Sequence, residues 1–376
     1  GRPHLTDAGR RQTASKAKIV ARTHEMMRFL LLLLWAPRPA SSLAILVADG
    51  LAPSGLKLLR EAGADVLDLS ERVDHFNVLE TSLSDYDAVI VRSRSHLGAA
   101  TLANGAAGKL RIVGRAGVGV DNIDCDACLQ HGIAVVNTPG ASASAVAELT
   151  IGHLLNACRE MPRADHAVRS GGFLAFKQAA PLTASELRGK KLGLFGFGRV
   201  AQRVATVAHA LGMSVFTAPT RNVELAAGLG VTVLPDVQTL FATCTHISLH
   251  CPLTPETANL VDLTLLKSMP TVAADGARCG SHLVNLARGG IVVEGDVSAA
   301  LDAGWLTSYG TDVFEEEPVG AGNVLLGYDR VTCTPHIGAA TMEAQDRVSS
   351  DVARSVLDVL AGRRSDACVV PPPGVA

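Results

Sequence analysis

The sequence predicts an α/β fold in which two doubly wound parallel sheets form two domains. From residue 43 onward, short apolar stretches with strand character alternate with stretches whose apolar residues recur at helical spacing. This alternation is typical of parallel sheets that carry helices on both faces. A new series of strands and helices begins at Lys190 with a glycine-rich turn, and a length of 376 residues also favours two cores over one.

The first series begins with the apolar strand LAILVADG, and the helix that follows has apolar residues at helical spacing and stops at Gly63. Strands are expected at 43–50, 87–95, 110–119 and 133–139, and helices at 52–63 and 143–160. The second series begins with the buried strand KKLGLF, and the helix after its turn has one apolar stripe made of Val200, Val204, Val207, Ala208 and Leu211.

Further strands of the second series are expected at 214–218, 231–234, 246–252, 281–287, 308–314 and 331–335. An amphipathic helix is expected at 340–364, because its apolar residues recur on one face. The final stretch VVPPPGVA, residues 369–376, is expected to be extended and disordered.

The composition excludes two classes of protein. A net charge of −2 and a pI near 6.7 give no basic face for nucleic acid, and 48% apolar residues exclude a disordered chain. The eight cysteines are too sparse for a disulfide framework and suit a reducing compartment, the cytoplasm or an organelle interior. Cys125 and Cys128 form a single C-x-x-C in a helical stretch, so we expect a helix face there and no metal site.

Residues 1–42 are expected to lie outside the fold. Lys and Arg outnumber Asp and Glu seven to two in residues 1–28, and the apolar run Phe29–Ala36 is too short to span a bilayer. A basic flank followed by a short apolar run resembles a targeting segment. The alternative is a leader that precedes a true start at Met26 or Met27.

The turn GFGRVA predicts a dinucleotide cradle, since it follows a strand and begins a helix. Gly196 permits the tight turn, Gly198 lets a pyrophosphate approach the backbone, and Ala201 lets the helix pack closely on the strand. The unpaired N–H groups at the start of this helix would then bind the phosphates.

The acidic residue that usually binds the adenosine ribose of NAD is missing. Ala218 and Pro219 stand where it is expected, about 20 residues after the cradle, and Arg221 and Asn222 follow. This segment would also accommodate the 2′-phosphate of NADP, so the sequence favours NAD and leaves NADP open.

Three residues with acid–base or anion-binding side chains each follow a predicted strand: Arg288, Glu317 and His336. The carboxyl ends of parallel strands meet at one edge of a sheet, so the three can converge beside the cofactor. A neutral histidine suits removal of a hydroxyl proton, a carboxylate fixes its tautomer, and arginine binds a substrate carboxylate. They suit oxidation of an alcohol beside a carboxylate. His246 and His250 are interpreted as structural.

Eight stretches together resemble the D-isomer-specific 2-hydroxyacid dehydrogenases, over about residues 43–364: VRSRSHL, VGRAGVGVDNID, VVNTPGASASAVAELTIG, LRGKKLGLFGFGRV, LHCPLTPET, VNLARGGIV, DVFEEEP and TPHIGAATMEAQ. Within this family, they are most similar to the members that oxidise 3-phosphoglycerate to 3-phosphohydroxypyruvate with NAD, the first step of serine biosynthesis.

The resemblance implies the domain organisation. A flavodoxin-like, discontinuous substrate domain would comprise residues 43–137 and 336–364, and a Rossmann-type cofactor domain would comprise residues 138–335, with 365–376 as a tail. The crossings at NTPG and TPHIG would act as a hinge. The family also implies a homodimer or homotetramer, with no nucleic-acid or membrane partner. Some relatives carry further domains that bind serine, and no such regulation is expected here.

The resemblance also assigns roles to residues. His336 would be the acid–base, Glu317, directly before Pro318, its partner, and Arg288 the substrate anchor, whereas Glu315 and Glu316 would be solvated. Cofactor contacts carry over to Ser95, Gly196, Gly198, Arg199, Val200, Cys251, Leu286, Ala287, Asp312, Gly338 and Ala339. The substrate carboxylate would bind the backbone N–H groups of Gly117, Val118 and Gly119, and the substrate phosphate would bind Arg92 and Arg94.

Two departures from the family pattern keep alternatives open. The ribose acid is absent, and the stretch 270–282 is about eight residues longer than the usual loop. A glyoxylate or hydroxypyruvate reductase that uses NADPH is therefore an alternative, favoured by TAPTRN and disfavoured by RSRS. Glu317 counts against a formate dehydrogenase. A cofactor-sensing corepressor is the non-catalytic alternative, although no docking groove for a partner is evident in the sequence.

Overall fold

The computed structural model describes residues 42–71, 75–179 and 184–372, so the expected leader lies outside the described residues except for Ser42. Within these ranges the strands are β1 (Ala44–Val47), β2 (Asp65–Asp68), β3 (Ala88–Val91), β4 (Ile112–Arg115), β5 (Ala134–Val136), β6 (Lys191–Phe195), β7 (Ser214–Thr217), β8 (Thr232–Val233), β9 (His246–Leu249), β10 (His282–Asn285), β11 (Ser308–Thr311), β12 (Val331–Cys333) and β13 (Cys368–Val370).

The helices of the same ranges are α1 (Pro53–Glu61), α2 (His75–Ser82), α3 (Ala99–Ala106), α4 (Cys125–Gln130), α5 (Ala143–Arg159), α6 (Met161–Arg169), α7 (Phe173–Ala179), α8 (Arg199–Ala210), α9 (Val223–Gly228), α10 (Val237–Thr243), α11 (Leu263–Ser268), α12 (Glu294–Asp302) and α13 (Met342–Leu360), with 3₁₀ turns at Leu83–Asp85 and Val324–Gly327. In the described part of the chain, no helix combines the length and the apolar character needed to cross a bilayer.

The second sheet in the chain has the order β12-β11-β10-β9-β6-β7-β8, and all neighbouring strands are parallel. Counted from β6, this is the order 3-2-1-4-5-6 of a Rossmann fold with one strand added. The order reverses between β6 and β9. Ligands of such sheets bind outside the carboxyl ends of the strands at that point, which is where the predicted cradle lies.

The first sheet has the order β13-β5-β4-β3-β1-β2. Strands β1 to β5 are parallel and follow the order 2-1-3-4-5 of a flavodoxin-like sheet, which reverses between β1 and β3. The predicted fold class, two doubly wound sheets of Rossmann and flavodoxin type, is therefore confirmed. The inner strands β1, β3, β9 and β10 are buried along their whole length, because helices cover both faces of the sheets.

The last helix, α13, returns to the first sheet. Its residues Val352 and Val356 approach the backbone of Gly114 on β4, and the backbone N–H of Ala52 donates to Ser349 Oγ at 2.8 Å. A row of buried side chains along α13 makes these contacts possible, as the sequence pattern predicts.

The tail expected at 369–376 is extended, but it is ordered where β13 forms, so the prediction of disorder is wrong there; residues 373–376 lie outside the described residues. Cys368 and Val370 pair antiparallel with β5, Asn137 N–H donates to the carbonyl of Ala367 at 3.0 Å, and Val370 is buried in the core of the first sheet. The two β-branched valines cover an edge that β5 would otherwise leave open. Three following prolines suggested an unpaired segment, but they begin only after the strand.

The longer loop before β10 forms a small hairpin. Val272 and Arg278 pair as an antiparallel bridge, and Ala273 N–H donates to the carbonyl of Ala277 at 2.9 Å. Asp275 accepts a hydrogen bond at 3.2 Å from the buried ammonium of Lys190, which directly precedes β6. The loop therefore packs at the amino ends of the strands, on the edge of the sheet opposite the cradle.

Candidate active site

The cradle is built at the turn between β6 and α8. Gly196 has a φ of +93°, and a Cβ there would lie 2.6 Å from the carbonyl oxygen of His250, so only glycine fits. A Cβ on Gly198 would meet nothing within 4 Å, which leaves the first N–H groups of α8 open to an anion. Ala201 is fully buried beneath them. All three positions have the geometry that a pyrophosphate site requires.

The end of β7 carries no acid. Ala218 is buried, Pro219 and Arg221 are exposed, and Asn222 donates its side-chain amide to the carbonyl oxygen of Phe197 at 3.0 Å. The segment that would face the adenosine ribose thus offers an exposed guanidinium instead of a carboxylate. This geometry is compatible with NAD and leaves the 2′-phosphate of NADP open.

Most predicted cofactor contacts line the carboxyl edge of the second sheet. Arg199 and Val200 begin α8, Cys251 follows β9, and Leu286 and Ala287 follow β10. Ser95 belongs to the other sheet, where it follows β3.

Ser95 is fully buried and donates its hydroxyl to Asp49 Oδ1 at 2.6 Å. Asp49 also accepts the backbone N–H groups of Arg92 and Ser95, at 2.6 and 3.1 Å. Its carboxylate thereby joins the ends of β1 and β3, the point at which the strand order reverses. In this arrangement Ser95 holds the loop of Arg92 in place.

His336 and Glu317 form the predicted pair. His336 Nδ1 lies 2.7 Å from Glu317 Oε2, and the other oxygen, Oε1, accepts the backbone N–H of Phe314 at 3.1 Å. Their side chains are 42% and 36% exposed, so the pair is accessible from solvent. Burial alone would raise the pKa of Glu317, but the hydrogen bonds of His336 and Phe314 and the charges of His336 and Arg288 lower it below its ordinary value.

Arg288 reaches from the second sheet to the first. Its Nε donates to Asp121 Oδ2 at 2.8 Å, and its NH1 donates to the carbonyl oxygen of Ala287 at 2.7 Å. Its guanidinium lies so close to Gly119 that a side chain at that position would push Arg288 aside. The charge of Arg288 also acts on Glu317, so the three predicted catalytic residues come together.

The loop of Gly117, Val118 and Gly119 lies beside Arg288, as expected. The N–H of Gly117, however, donates to the carbonyl of Arg115 at 2.8 Å, so it is already used within the loop. The carbonyl of Val118 accepts from the side-chain amide of Asn137 at 2.7 Å, and Val118 is half exposed.

Arg115 is a site residue that the sequence reasoning missed. Burial, together with the charges of Arg288 and Arg92, lowers the pKa of Arg115 to about 10, although Asp121 and Asp49 oppose this effect. Its NH1 donates to the carbonyl of Ala116 at 2.8 Å, whereas its Nε is buried with no partner. A signal was available, since this arginine ends β4 in VGRAGVG and carboxyl ends of strands form the cleft.

Arg92, Arg115 and Arg288 thus form a group of three neighbouring cations. Burial also lowers the pKa of Arg92, which the charge of Asp49 only partly offsets. The carboxylates of Asp49 and Asp121 offset only two of these three positive charges, so the group is suited to bind a further anion. Arg94 lies two residues beyond Arg92 and is exposed.

Asp312 is buried at the end of β11, and both of its oxygens are occupied. Oδ1 accepts from the N–H of Ile337 at 2.8 Å and from the hydroxyl of Thr334 at 2.7 Å, and Oδ2 accepts from the N–H of Gly338 at 2.7 Å. Predicted as a cofactor contact, Asp312 here holds the loop that carries His336. Gly338 is buried and Ala339 is half-buried behind that loop.

A cluster of Cys158, His246 and His282 lies at the amino ends of the strands, and its possible ligand atoms are within 4.8 Å of one another. Each ring nitrogen already has a partner in the fold. His246 contacts Cys158 Sγ at 3.2 Å and a threonine hydroxyl at 2.9 Å, and His282 bonds to Ser308 Oγ at 2.8 Å and the carbonyl oxygen of Cys279 at 2.7 Å. Three of the four ring nitrogens thus contact groups outside the cluster.

Residues 151–338 match the sequence profile described as "D-isomer specific 2-hydroxyacid dehydrogenase, NAD binding domain". The chain belongs to this family. The profile covers the cradle and the His336–Glu317 pair together, and it supports NAD as the cofactor. The missing acid at the end of β7 leaves NADP open.

Curated relatives of this family member include proteins named D-3-phosphoglycerate dehydrogenase. The one from Rattus norvegicus is 36% identical over 322 residues, which are 85% of this chain and 57% of the relative. The one from Methanocaldococcus jannaschii is 37% identical over 323 residues, which are 86% of this chain and 58% of the relative. The chain therefore spans less than two thirds of the length of these relatives.

Solved structures with the same fold cover almost the whole described chain. A Thermus thermophilus protein is 30% identical with a TM-score of 0.76, over 87% of this chain and 100% of that one. An NADPH-dependent glyoxylate/hydroxypyruvate reductase from Sinorhizobium meliloti, solved with NADP and malonate, is 28% identical with a TM-score of 0.74, over 88% and 97% of the two chains.

Proposed function

We propose that this dehydrogenase-family chain oxidises 3-phospho-D-glycerate to 3-phosphohydroxypyruvate with NAD, the first step of L-serine biosynthesis. The observation that carries the proposal is the group of three arginines beside the His336–Glu317 pair. A substrate with a carboxylate at one end and a phosphate at the other offers two anions to this group. The relatives named D-3-phosphoglycerate dehydrogenase support the same substrate.

His336 is the base for the substrate hydroxyl. Its Nδ1 faces the ionised Glu317, so the proton of the neutral ring stays on Nδ1 and Nε2 keeps a lone pair. Nε2 takes the hydroxyl proton as the C–H bond breaks, and Glu317 stabilises the imidazolium that forms. When bound in the cradle of Gly196 and Gly198, NAD would supply the hydride acceptor, so that loss of one proton to His336 and one hydride converts the alcohol to the ketone. In the reverse direction His336 returns the proton.

The arginines bind and orient the substrate. Arg288 is assigned to the carboxylate, because its guanidinium lies against the glycine loop and close to Glu317. Arg92 and Arg115 are assigned to the phosphate, with Arg94 as a more exposed contributor. Asp121 holds Arg288 by a 2.8 Å bond and keeps the guanidinium at the cleft.

The two sheets support a division into two domains. Residues 43–137 and 336–364 would form the substrate domain, with β13 now added to its sheet, and residues 138–335 would form the cofactor domain. The chain crosses between the sheets near Thr138 and near Thr334. We propose a hinge at these two crossings. Opening of this hinge would separate Arg288 from Asp121.

We also propose a homodimer or homotetramer in a reducing compartment, the cytoplasm or an organelle interior. Helices α6 and α7 carry exposed apolar side chains, Met161, Val168, Phe173 and Leu174, that a second copy would cover. All eight cysteines are free, which suits reducing conditions. Light scattering of the full chain tests the oligomeric state, and a monomer at micromolar concentration would contradict it.

A second candidate is an NADPH-dependent glyoxylate or hydroxypyruvate reductase. The exposed Arg221 and the lack of an acid at the end of β7 favour it, and so does the similarity to the Sinorhizobium meliloti reductase. The two arginines assigned to a phosphate would then have no anion to bind, since neither of these substrates carries a phosphate.

Initial rates of the full chain decide between the candidates. In the oxidation direction the assay compares 3-phosphoglycerate with glycerate, each with NAD and with NADP. In the reduction direction it compares hydroxypyruvate with glyoxylate, each with NADH and with NADPH. A kcat/KM for 3-phosphoglycerate with NAD at least tenfold above that for glycerate is expected. Equal kcat/KM values for the two acids would contradict the phosphoglycerate assignment, and a preference for NADPH with glyoxylate would establish the second candidate.

A further inference from the structure

His153 is a buried histidine with one hydrogen bond that points toward the active-site loop. It lies on α5, is 1% exposed, and its Nε2 is 3.0 Å from the hydroxyl oxygen of Thr334. Thr334 is two residues before His336 and follows the last strand of the second sheet. A polar side chain in this position needs an explanation, because an apolar one would fill the core of α5 without any unpaired polar atom.

The direction of the protons along this contact follows from the partners. The hydroxyl of Thr334 has one hydrogen, which it donates to Asp312 Oδ1 at 2.7 Å. His153 Nε2 therefore donates to Thr334, and the ring is the Nε2–H tautomer. Nδ1 is then an acceptor, and it is buried without a partner against Gly310, where a Cβ would lie 2.8 Å from it. His153 therefore serves only as a hydrogen-bond donor, from Nε2 to the hydroxyl oxygen of Thr334.

Asp312 connects Thr334 to the backbone on the other side of His336. It accepts the hydroxyl of Thr334 before His336 and the N–H groups of Ile337 and Gly338 after it, at 2.7 to 2.8 Å. His336 itself has a φ of +52°, a left-handed conformation that residues with a side chain rarely adopt. Such a conformation persists only where its surroundings fix it on both sides.

We propose that His153 is a positioning residue for His336. By holding the hydroxyl of Thr334 toward Asp312, it fixes the loop in which His336 lies 2.7 Å from Glu317. Without the donor, Thr334 is free to turn its hydroxyl to the carbonyl oxygen of Thr311, which it already approaches at 3.4 Å. Asp312 would then hold only one flank of His336. The inference rests on the proposed role of His336 as the base.

The test compares His153→Leu, which keeps the volume and removes the donor, with His153→Gln, whose amide N–H can occupy the place of Nε2. We expect His153→Leu to lower kcat by about tenfold with KM and NADH affinity within about twofold, and His153→Gln to recover most of the loss. His246→Gln is the matched control, another buried histidine at the opposite edge of the same sheet, and it should leave kcat unchanged.

A double-mutant cycle separates positioning from general stability. In the His336→Ala background, His153→Leu should cost no further activity, because the residue that it positions is gone. A full tenfold loss in that background, or equal losses in the leucine and glutamine variants, would overturn the proposal. The proposal would also be overturned if His246→Gln, with the same midpoint of urea unfolding as His153→Leu, lost as much kcat.

The failure of the proposed function is recognised separately, as a wild-type chain without turnover on any 2-hydroxy acid. The positioning role is then read from NMR. The Cε1–H signal of His336, assigned by its disappearance in His336→Ala, should shift in His153→Leu and stay in place in His153→Gln and His246→Gln. An unmoved signal in His153→Leu would overturn the inference whatever the substrate is.

Discussion

Replacing Glu317 with glutamine is the most direct test of the acid–base pair. The amide keeps an oxygen for the N–H of Phe314, which lies 3.1 Å from Oε1, but presents N–H to His336 where a carboxylate stood at 2.7 Å. The ring must then accept at Nδ1 and carry its proton on Nε2, the atom assigned to take the substrate proton. The variant thus loses both the correct tautomer and the charge that stabilises the imidazolium.

The size of the loss follows from the exposure of the pair. Opposite charges 4 Å apart attract by about 1 kcal/mol in water and about 4 kcal/mol at a protein surface of effective dielectric 20. With side chains 42% and 36% exposed, the pair lies between these limits, so we take about 2 kcal/mol. That free energy corresponds to a loss of about 30-fold in kcat.

The assay is steady-state oxidation at pH 8, with NADH affinity measured by fluorescence. Glu316→Gln is the control, because the same chemical change is made one residue away on an exposed side chain. Since the pKa of Glu317 is lowered, its stabilising charge is present above its ordinary value of 4.5 and is lost only as the pH falls through the lowered pKa. A Glu317→Gln variant with wild-type kcat at pH 8 would refute the reasoning.

Three further outcomes are expected. Arg92→Gln should raise KM for 3-phosphoglycerate by about tenfold, because a charge-assisted hydrogen bond to the phosphate is lost, and should leave KM for glycerate unchanged. An equal rise in KM for both acids would show that Arg92 does not bind the phosphate. Gly196→Ala should lower both the free energy of unfolding, by about 2 kcal/mol, and the affinity for NAD. Gly198→Ala has open space for its methyl group and should lower only the affinity for NAD. Differential scanning calorimetry measures the effect on stability, and titration with NAD measures the effect on affinity. Burial lowers the pKa of His282 to about 4, so the unfolded chain binds a proton that the folded chain does not as the pH falls below about 6.5. Between pH 6.5 and 5, urea unfolding should show a loss of stability about 2 kcal/mol larger in the wild type than in His282→Gln, because the other buried histidines, His246 and His250, titrate in both proteins. Parallel curves would contradict it.

The sequence was sufficient for the fold class, because alternation of strands and helices and the placement of the glycine turn depend on local patterns. Convergence of Arg288, Glu317 and His336 was also predictable, since each follows a parallel strand and carboxyl ends share an edge. The strand β13 was missed because its pairing with β5 depends on an edge some 230 residues earlier, which no local pattern reveals.

The remaining features of the site depend on which atoms are already used. Arg115 resembled a part of the glycine loop, and only burial beside two other arginines shows its importance. Asp312 was expected at the cofactor, but its oxygens are occupied by the loop after Thr334. His153 lies in an ordinary apolar stripe of α5, and only the position of Thr334 relative to it distinguishes it from a core residue. Such features are properties of tertiary packing.

The return of α13 and β13 to the first sheet has a consequence for how the protein is made. Strands β6 to β12 are contiguous in the chain, so the ribosome delivers this sheet complete, and it can fold while synthesis continues. The earlier sheet must wait, with the flank of β5 and the apolar side of β4 uncovered, until residues 342–370 have emerged. The half that is translated first is therefore finished last, and it is the half that a chaperone would have to shield.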